Sequence, residues 1–206
     1  MLIVFAGLPG AGKTTLAAAV ARAMRAALLR VDAVEAGLIS AGLVTGYEEV
    51  GAAGYFVAGF VADACLQAGT DVVVDAVNPV PATRRAWQEL AERHHTPLLS
   101  IEVRCVDTDE HQRRLGVRED SPFGRPSLTW DEVRAREYQP WPDVGLVLDN
   151  VGDIADHVRW ILLAARGLRG HDDADSVNVW RNPTGCTHPN PLKMAGGETV
   201  QVSSGA

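Results

Sequence analysis

The chain is predicted to fold as a three-layer α/β/α unit around a five-stranded parallel sheet. Two observations lead there. Short apolar runs, each the length of one buried strand, alternate with segments whose apolar residues recur at helical spacing. A glycine-rich stretch, Gly7-Leu8-Pro9-Gly10-Ala11-Gly12-Lys13-Thr14, joins the first run to the first helical segment. Strands separated by helices must run parallel, with both faces of their sheet covered. Ligands then gather at the carboxyl ends of the strands.

The elements follow in order. Leu2-Ile3-Val4-Phe5-Ala6 is the first strand, and Thr15 to Met24 is a helix with Leu16, Val20 and Met24 on one face. Ala27 to Val31 is the second strand, and Asp32 after it serves as helix N-cap for residues 33 to 38, as a site residue, or as both. Tyr55 to Leu66 is helical. Asp71 to Asp75 is the third strand. Pro81 to Arg93 is a helix with Pro81 in its first turn and Trp87, Leu90 and Ala91 on one face. Leu98 to Arg104 is the fourth strand. Asp107-Thr108-Asp109-Glu110 opens the next helix in the manner of a capping box. Asp120 to Pro126, rich in proline and glycine, reads as a short lid. Val144 to Leu148 is the fifth strand, and Asp153 to Arg166 is a helix with Ile154, Val158, Ile161, Leu162 and Ala165 in one stripe. From residue 168 the periodicity ends. Residues 1–167 are therefore expected to form the domain, and 168–206 an irregular C-terminal extension.

The 206 residues suit one domain with a sizeable core. A net charge of −7 argues against a nucleic-acid backbone as the default partner. Cys65, Cys105 and Cys186 are far apart and form no metal or redox motif, which fits a reducing cytoplasm. Cys186-Thr187-His188 supplies two ligand types, too few for a zinc site. The apolar start contains the glycine-rich loop and lacks a basic leader, so it is not read as a signal peptide. No apolar run is long enough to cross a bilayer.

The loop matches G-x-x-x-x-G-K-[ST] in its proper setting of strand, turn and helix, which makes it a phosphate-binding loop. Its glycines let successive N–H groups point at one anion, and the helix N-terminus adds partial positive charge. Gly7, Pro9, Gly10, Ala11, Gly12, Lys13, Thr14 and Thr15 are thus the expected ATP-binding residues. Lys13 would reach the β/γ-phosphates, and Thr14 with Asp75 would hold Mg²⁺. Asp32 is placed to accept a proton from a hydroxyl acceptor or to orient it. Glu35, one turn on, faces either substrate or solvent. Asn78 and Arg84 either contact acceptor or phosphate or have plain surface roles. Tyr47, Tyr55 and Phe56 offer aromatic walls to a small acceptor, or else pack the core. Arg114 and Arg118 share a helix face and, with Arg125, would clamp the migrating phosphoryl group, the alternative being a solvated helix face. Arg113 points elsewhere, toward solvent.

These residues resemble those of the small P-loop kinases of the nucleoside-monophosphate-kinase-like group. Within it the chain is similar to predicted bacterial ATP-binding kinases related to chloramphenicol phosphotransferase, zeta toxin and the kinase domain of polynucleotide kinase. The likeness spans roughly residues 1 to 166. It rests on the phosphate loop, on Val31-Asp32-Ala33-Val34-Glu35 and on Val74-Asp75-Ala76-Val77-Asn78-Pro79. It rests further on Arg104-Cys105 and on Trp130 to Trp141, with its Arg136-Glu137-Tyr138-Gln139-Pro140-Trp141. The resemblance implies a P-loop NTPase fold, Asp32 as the acceptor-activating aspartate, and Arg114 or Arg118 as lid arginines. The expected activity is transfer of the ATP γ-phosphate to a hydroxyl of a small molecule. A nucleotide-dependent ATPase, switch or binding module is the alternative from another class. A polynucleotide 5′-hydroxyl kinase and a toxin-like sugar-nucleotide kinase stand behind both.

Overall fold

The computed structural model describes residues 1–117 and 128–170. The predicted lid, with Arg118 and Arg125, and the extension from residue 171, with Cys186, lie outside the described residues.

Five parallel strands form one sheet in the order β2-β3-β1-β4-β5: β1 Leu2–Ala6, β2 Ala27–Arg30, β3 Val72–Asp75, β4 Leu98–Arg104 and β5 Leu146–Asp149. The central strand β1 is wholly buried. Its side chains alternate between two cores, because successive residues of a strand point to opposite faces. Ile3 and Phe5 join Val73, Leu99, Ile101 and Val103 beneath α1 (Lys13–Met24) and α8 (Ile154–Arg169). Leu2 and Val4 join Val72 and Val74 on the other face. That face is covered by α4 (Ala53–Gln67) and α5 (Pro81–Arg93) through Ala58, Ala62, Trp87 and Leu90. Full burial of such side chains contributes roughly 1.5–3 kcal/mol each. Both faces of the sheet are thus sealed, which leaves the carboxyl edge as the accessible place for chemistry.

Several boundaries differ from the sequence expectation, each for a local reason. Val31 belongs not to the second strand but to α2 (Val31–Ser40), so Asp32 lies in the first turn and Arg30 occupies the N-cap position. Asp71 precedes β3; its carboxylate accepts from the Met1 ammonium at 2.8 Å and also binds Arg169. Strand β5 starts two residues late. Gly145 is tied sideways to Ser100 Oγ at 2.8 Å, and a Cβ there would lie 3.2 Å from the Ser100 carbonyl. Helix α4 starts two residues early, and α8 runs three residues past Arg166. Two short helices were not expected: α3 (Tyr47–Val50) and α7 (Trp130–Arg134). At α6 (Thr108–Gly116), Asp107 caps the amides of Asp109 and Glu110 at 3.0 and 3.1 Å. The Glu110 carboxylate turns to arginines instead of closing a box. The complete capping box belongs to α7, between Thr129 and Glu132. Cys65 and Cys105 are half-buried.

Candidate active site

The phosphate loop leaves the carboxyl end of β1 and runs into α1. Gly7 has φ +131°, and a Cβ on it would lie 2.1 Å from the Val103 carbonyl oxygen of β4. Gly12 has φ +91°, and a Cβ there would meet Asn150 Nδ2 at 2.0 Å. Any side chain at either position forces the loop off the sheet edge.

Two buried side chains hold the loop from behind. Asn150, one residue past β5, donates from Nδ2 to the Ala11 carbonyl at 2.9 Å. His111 of α6 meets the Pro9 carbonyl through Nε2 at 2.8 Å. A carbonyl only accepts, so Nε2 carries the proton. His111 is itself fixed edge-on against Trp130, with ring centroids 5.1 Å apart. The Gly7 amide donates to the Val77 carbonyl and the Ala11 amide to that of Leu8, so the carbonyl contacts from Asn150 and His111 complete a loop fixed on both strands of its turn.

Lys13 is 8% exposed, and its Nζ donates to the Leu8 carbonyl at 2.9 Å within the loop. Thr14 donates from Oγ1 to Asp75 Oδ2 at 2.7 Å, and Arg30 Nε reaches the same oxygen at 3.2 Å. A hydroxyl and a carboxylate meeting at the foot of a phosphate loop are hard oxygen donors of the kind Mg²⁺ takes, so these residues fit the expected ion. Among the described residues no group of three or more His, Cys, Asp or Glu forms a metal cage. Thr15 is exposed on α1.

Asp32 is half-buried near the carboxyl end of β2. Arg30, the last residue of β2, is in register with Asp75 of β3, and Asp32 follows two residues later in the first turn of α2. Glu35, also half-buried, packs so tightly on α4 that a Cβ on Gly54 would lie 2.6 Å from its Cγ. On the opposite flank, Arg114 Nη1 comes within 3.8 Å of the position a Cβ on Gly12 would take. Its Nε donates to Glu110 Oε1 at 2.7 Å. Glu110 also accepts two bonds from Arg113, at 2.6 and 2.8 Å. Hydrogen bonds from Arg113 and then Arg114 hold the Glu110 carboxyl down to about 2. Arg113 is thus the more exposed member, and Arg114 is turned toward the loop.

Asn78 and Arg84 sit in the interior. Asn78, at φ +50°, is fully buried. Its N–H donates to Tyr55 Oη at 3.0 Å, Nδ2 donates to the Phe5 carbonyl at 2.9 Å, and Oδ1 accepts from Trp87 Nε1 at 2.9 Å. Arg84, 3% exposed, donates to the carbonyls of Asn78, Pro79, Gln139 and Pro140. Its guanidinium lies 5.2 Å from the Tyr138 ring centroid and 4.9 Å from that of Trp141. Burial, then the charge of Glu102, pushes the Tyr138 phenol well above its usual range and keeps it protonated. The structure therefore spends the hydrogen bonds of these two residues, and the Tyr55 hydroxyl, on holding the ends of β1 and β3 and the 139–141 segment together. Tyr47 opens α3, and Phe56 points outward from α4 with 68% exposure.

Sequence reasoning missed Asn150, His111 and Arg30. A polar residue just past the carboxyl end of β5 is a readable signal, but ending that strand at residue 148 hides it. For His111 no signal existed: its role depends on α6 packing beside the loop.

Fold and loop together define a P-loop nucleotide-binding α/β protein. The chain belongs to the AAA domain family, whose model matches residues 2–140. Among solved structures it is similar to a candidate kinase of Chloroflexus aurantiacus, at 23% identity and a TM-score of 0.63, covering 81% of this chain and 96% of that one. It is similar to the Mycobacterium tuberculosis APS kinase CysC solved with AMPPNP and APS, at 18% identity and a TM-score of 0.59, covering 80% and 96%. A sugar kinase from Janibacter sp. matches at 20% identity and a TM-score of 0.59, covering 80% and 94%. At these identities the likeness establishes the fold. No curated protein sequence matches the chain. No helix among the described residues is long and apolar enough to cross a membrane.

Proposed function

We propose that the protein is an ATP-dependent phosphotransferase that moves the γ-phosphate to a hydroxyl of a small molecule. The observation that carries this reading is the Thr14–Asp75 pair at the foot of the loop, with Asp32 one strand further along the same edge. A switch needs the first feature but has no use for a second carboxylate on the acceptor side.

In this reading the loop amides and Lys13 hold the ATP phosphates, and Lys13 exchanges the Leu8 carbonyl for phosphate oxygen. Thr14 and Asp75 would hold Mg²⁺, which when bound offsets phosphate charge. The acceptor oxygen forms its bond to Pγ as the bond from Pγ to the β,γ-bridging oxygen breaks. Asp32 takes the hydroxyl proton, and ADP leaves. Arg114 offsets the charge that develops between the two oxygens. Arg118 belongs to this proposal from its spacing alone. Asn78, Arg84 and Tyr55 act by shaping the ground beneath the site. A reducing, intracellular setting and an acceptor other than nucleic acid complete the proposal.

The test is mass detection of phosphorylated products after incubation with Mg-ATP and pooled alcohols, sugars, amino acids, nucleosides and 5′-hydroxyl oligonucleotides. Product from a small-molecule pool is expected. Efficient, salt-sensitive phosphorylation of the oligonucleotides alone would replace this reading with a polynucleotide kinase. ATP binding with no product in any pool would leave a binding module.

A further inference from the structure

Helix α4 keeps its large apolar side chains on the outside. Between Ala53 and Gln67 its only charged residue is Asp63, and that carboxylate turns to Arg93 and His94 at the end of α5. The residues it buries are small: Gly54, Ala58 and Ala62. The large ones face away. Phe56, Val57, Phe60 and Val61 are exposed, Phe60 to 75%. A helix apolar on every side belongs in an interior, and a contiguous exposed apolar face marks a place where something binds.

The exposed face carries a groove lined by Val57, Phe60, Val61, Cys65, Ala68 and Thr70. Thr70, at its end, directly precedes Asp71, at the amino edge of the sheet. Asp71 is the residue that Arg169 binds, and Arg169 is the last residue of α8. Helix α8 packs on the face of the sheet opposite to α4. This ion pair therefore brings the chain, as it leaves α8, round the amino edge to the mouth of the groove.

Residues 171–206 follow, outside the described residues. The sequence His171-Asp172-Asp173-Ala174-Asp175-Ser176 is polar but for one alanine, and next comes the apolar cluster Val177-Asn178-Val179-Trp180. From Gly170 to Val177 a chain can span up to about 25 Å. From Ala68 back to Val57 the helix rises only about 16 Å. The cluster can thus reach the whole groove. On so short a tether its effective concentration there is on the order of a millimolar, which favours it over a second copy in dilute solution.

We propose that Val177, Val179 and Trp180 dock in the groove of α4, so that the chain's own C-terminal extension covers the apolar face its domain leaves open. The docking is independent of phosphoryl transfer and stands or falls without it.

The experiment uses the full chain with the photo-crosslinker benzoylphenylalanine in place of Trp180. Irradiation should join position 180 to residues 57–70 of the same chain, as mapped by peptide mass. Cross-links between two chains would overturn the assignment in favour of a dimer. Cross-links elsewhere in the chain, or none, would overturn it outright. A second readout uses the native residue. Cys65 lines the groove, so its alkylation rate, read peptide by peptide to separate it from Cys105 and Cys186, reports whether the groove is covered. Trp180→Ser should speed alkylation of Cys65 about fivefold or more and leave that of Cys105 unchanged. Equal Cys65 rates in the two proteins would overturn the docking.

Discussion

Lys13 keeps its ammonium on a carbonyl of its own loop, so its charge is positioned before any phosphate arrives. Lys13→Ala is expected to weaken ATP binding at least about tenfold, a loss of ~1.4 kcal/mol, with the thermal transition retained; titration calorimetry reads the first and scanning calorimetry the second. Asp32→Asn should lower turnover by about 10²–10⁴, the usual contribution of a positioned base, while ATP affinity holds. Asp75→Asn should instead move the Mg²⁺ concentration needed for half-maximal rate. Equal loss of ATP affinity in all three variants would erase this division of roles. His111 is a positioning residue in this scheme. His111→Ala should raise the ATP Kd about tenfold by releasing the Pro9 carbonyl, and His111→Gln, whose amide can donate to the same oxygen, should recover most of it. A role in stability alone predicts that both variants lose melting temperature with ATP affinity unmoved.

At the level of elements, Arg84 fastens the loop after β3 to the segment that follows α7. Four carbonyls share its five donors, and Gln139 N–H adds a bond to the Pro79 carbonyl at 2.8 Å. Arg84→Met leaves those carbonyls buried without donors and should destabilise the fold by about 3 kcal/mol or more. Arg84→Lys should not restore it, since an ammonium lacks the planar fork. Urea midpoints of the two variants decide the matter. Arg84 also shows what the sequence conceals. Its place in the first turns of a helix just after β3 reads as a ligand contact, and nothing local reveals that Gln139 and Pro140, more than fifty residues on, supply acceptors. The strands were legible because each is a short apolar run, sealed on both faces in β1, β3 and most of β4, and the loop because its glycines have no substitute. Strand ends were less legible where a side contact decides them, as Ser100 does for Gly145. Asn150 was lost for that reason, whereas Thr14 and Asp75 are recoverable from the motif and strand end.

Across the whole molecule, Asp71 joins the start of β1 to the end of α8. Burial alone would raise its pKa, but the Met1 ammonium and Arg169 outweigh it and leave the carboxyl below its usual value. A carboxyl depressed on folding stabilises above its unfolded pKa, and that stability is lost as pH falls through the folded value. Acid below about pH 4 should therefore remove this contribution, of about 1 kcal/mol. Asp71→Asn should flatten that part of the stability curve while leaving the neutral-pH activity unchanged. The two ties on the phosphate loop span a larger distance still. His111 lies 102 residues beyond the carbonyl it holds, and Asn150 lies 139 residues beyond its own. During synthesis the glycine-rich turn leaves the ribosome well before either of the groups that shape it. Nucleotide is then a ligand of the completed domain and not of the nascent chain. Stalled chains that end before Asn150 should fail to retain ATP, and those that extend well beyond it should capture it.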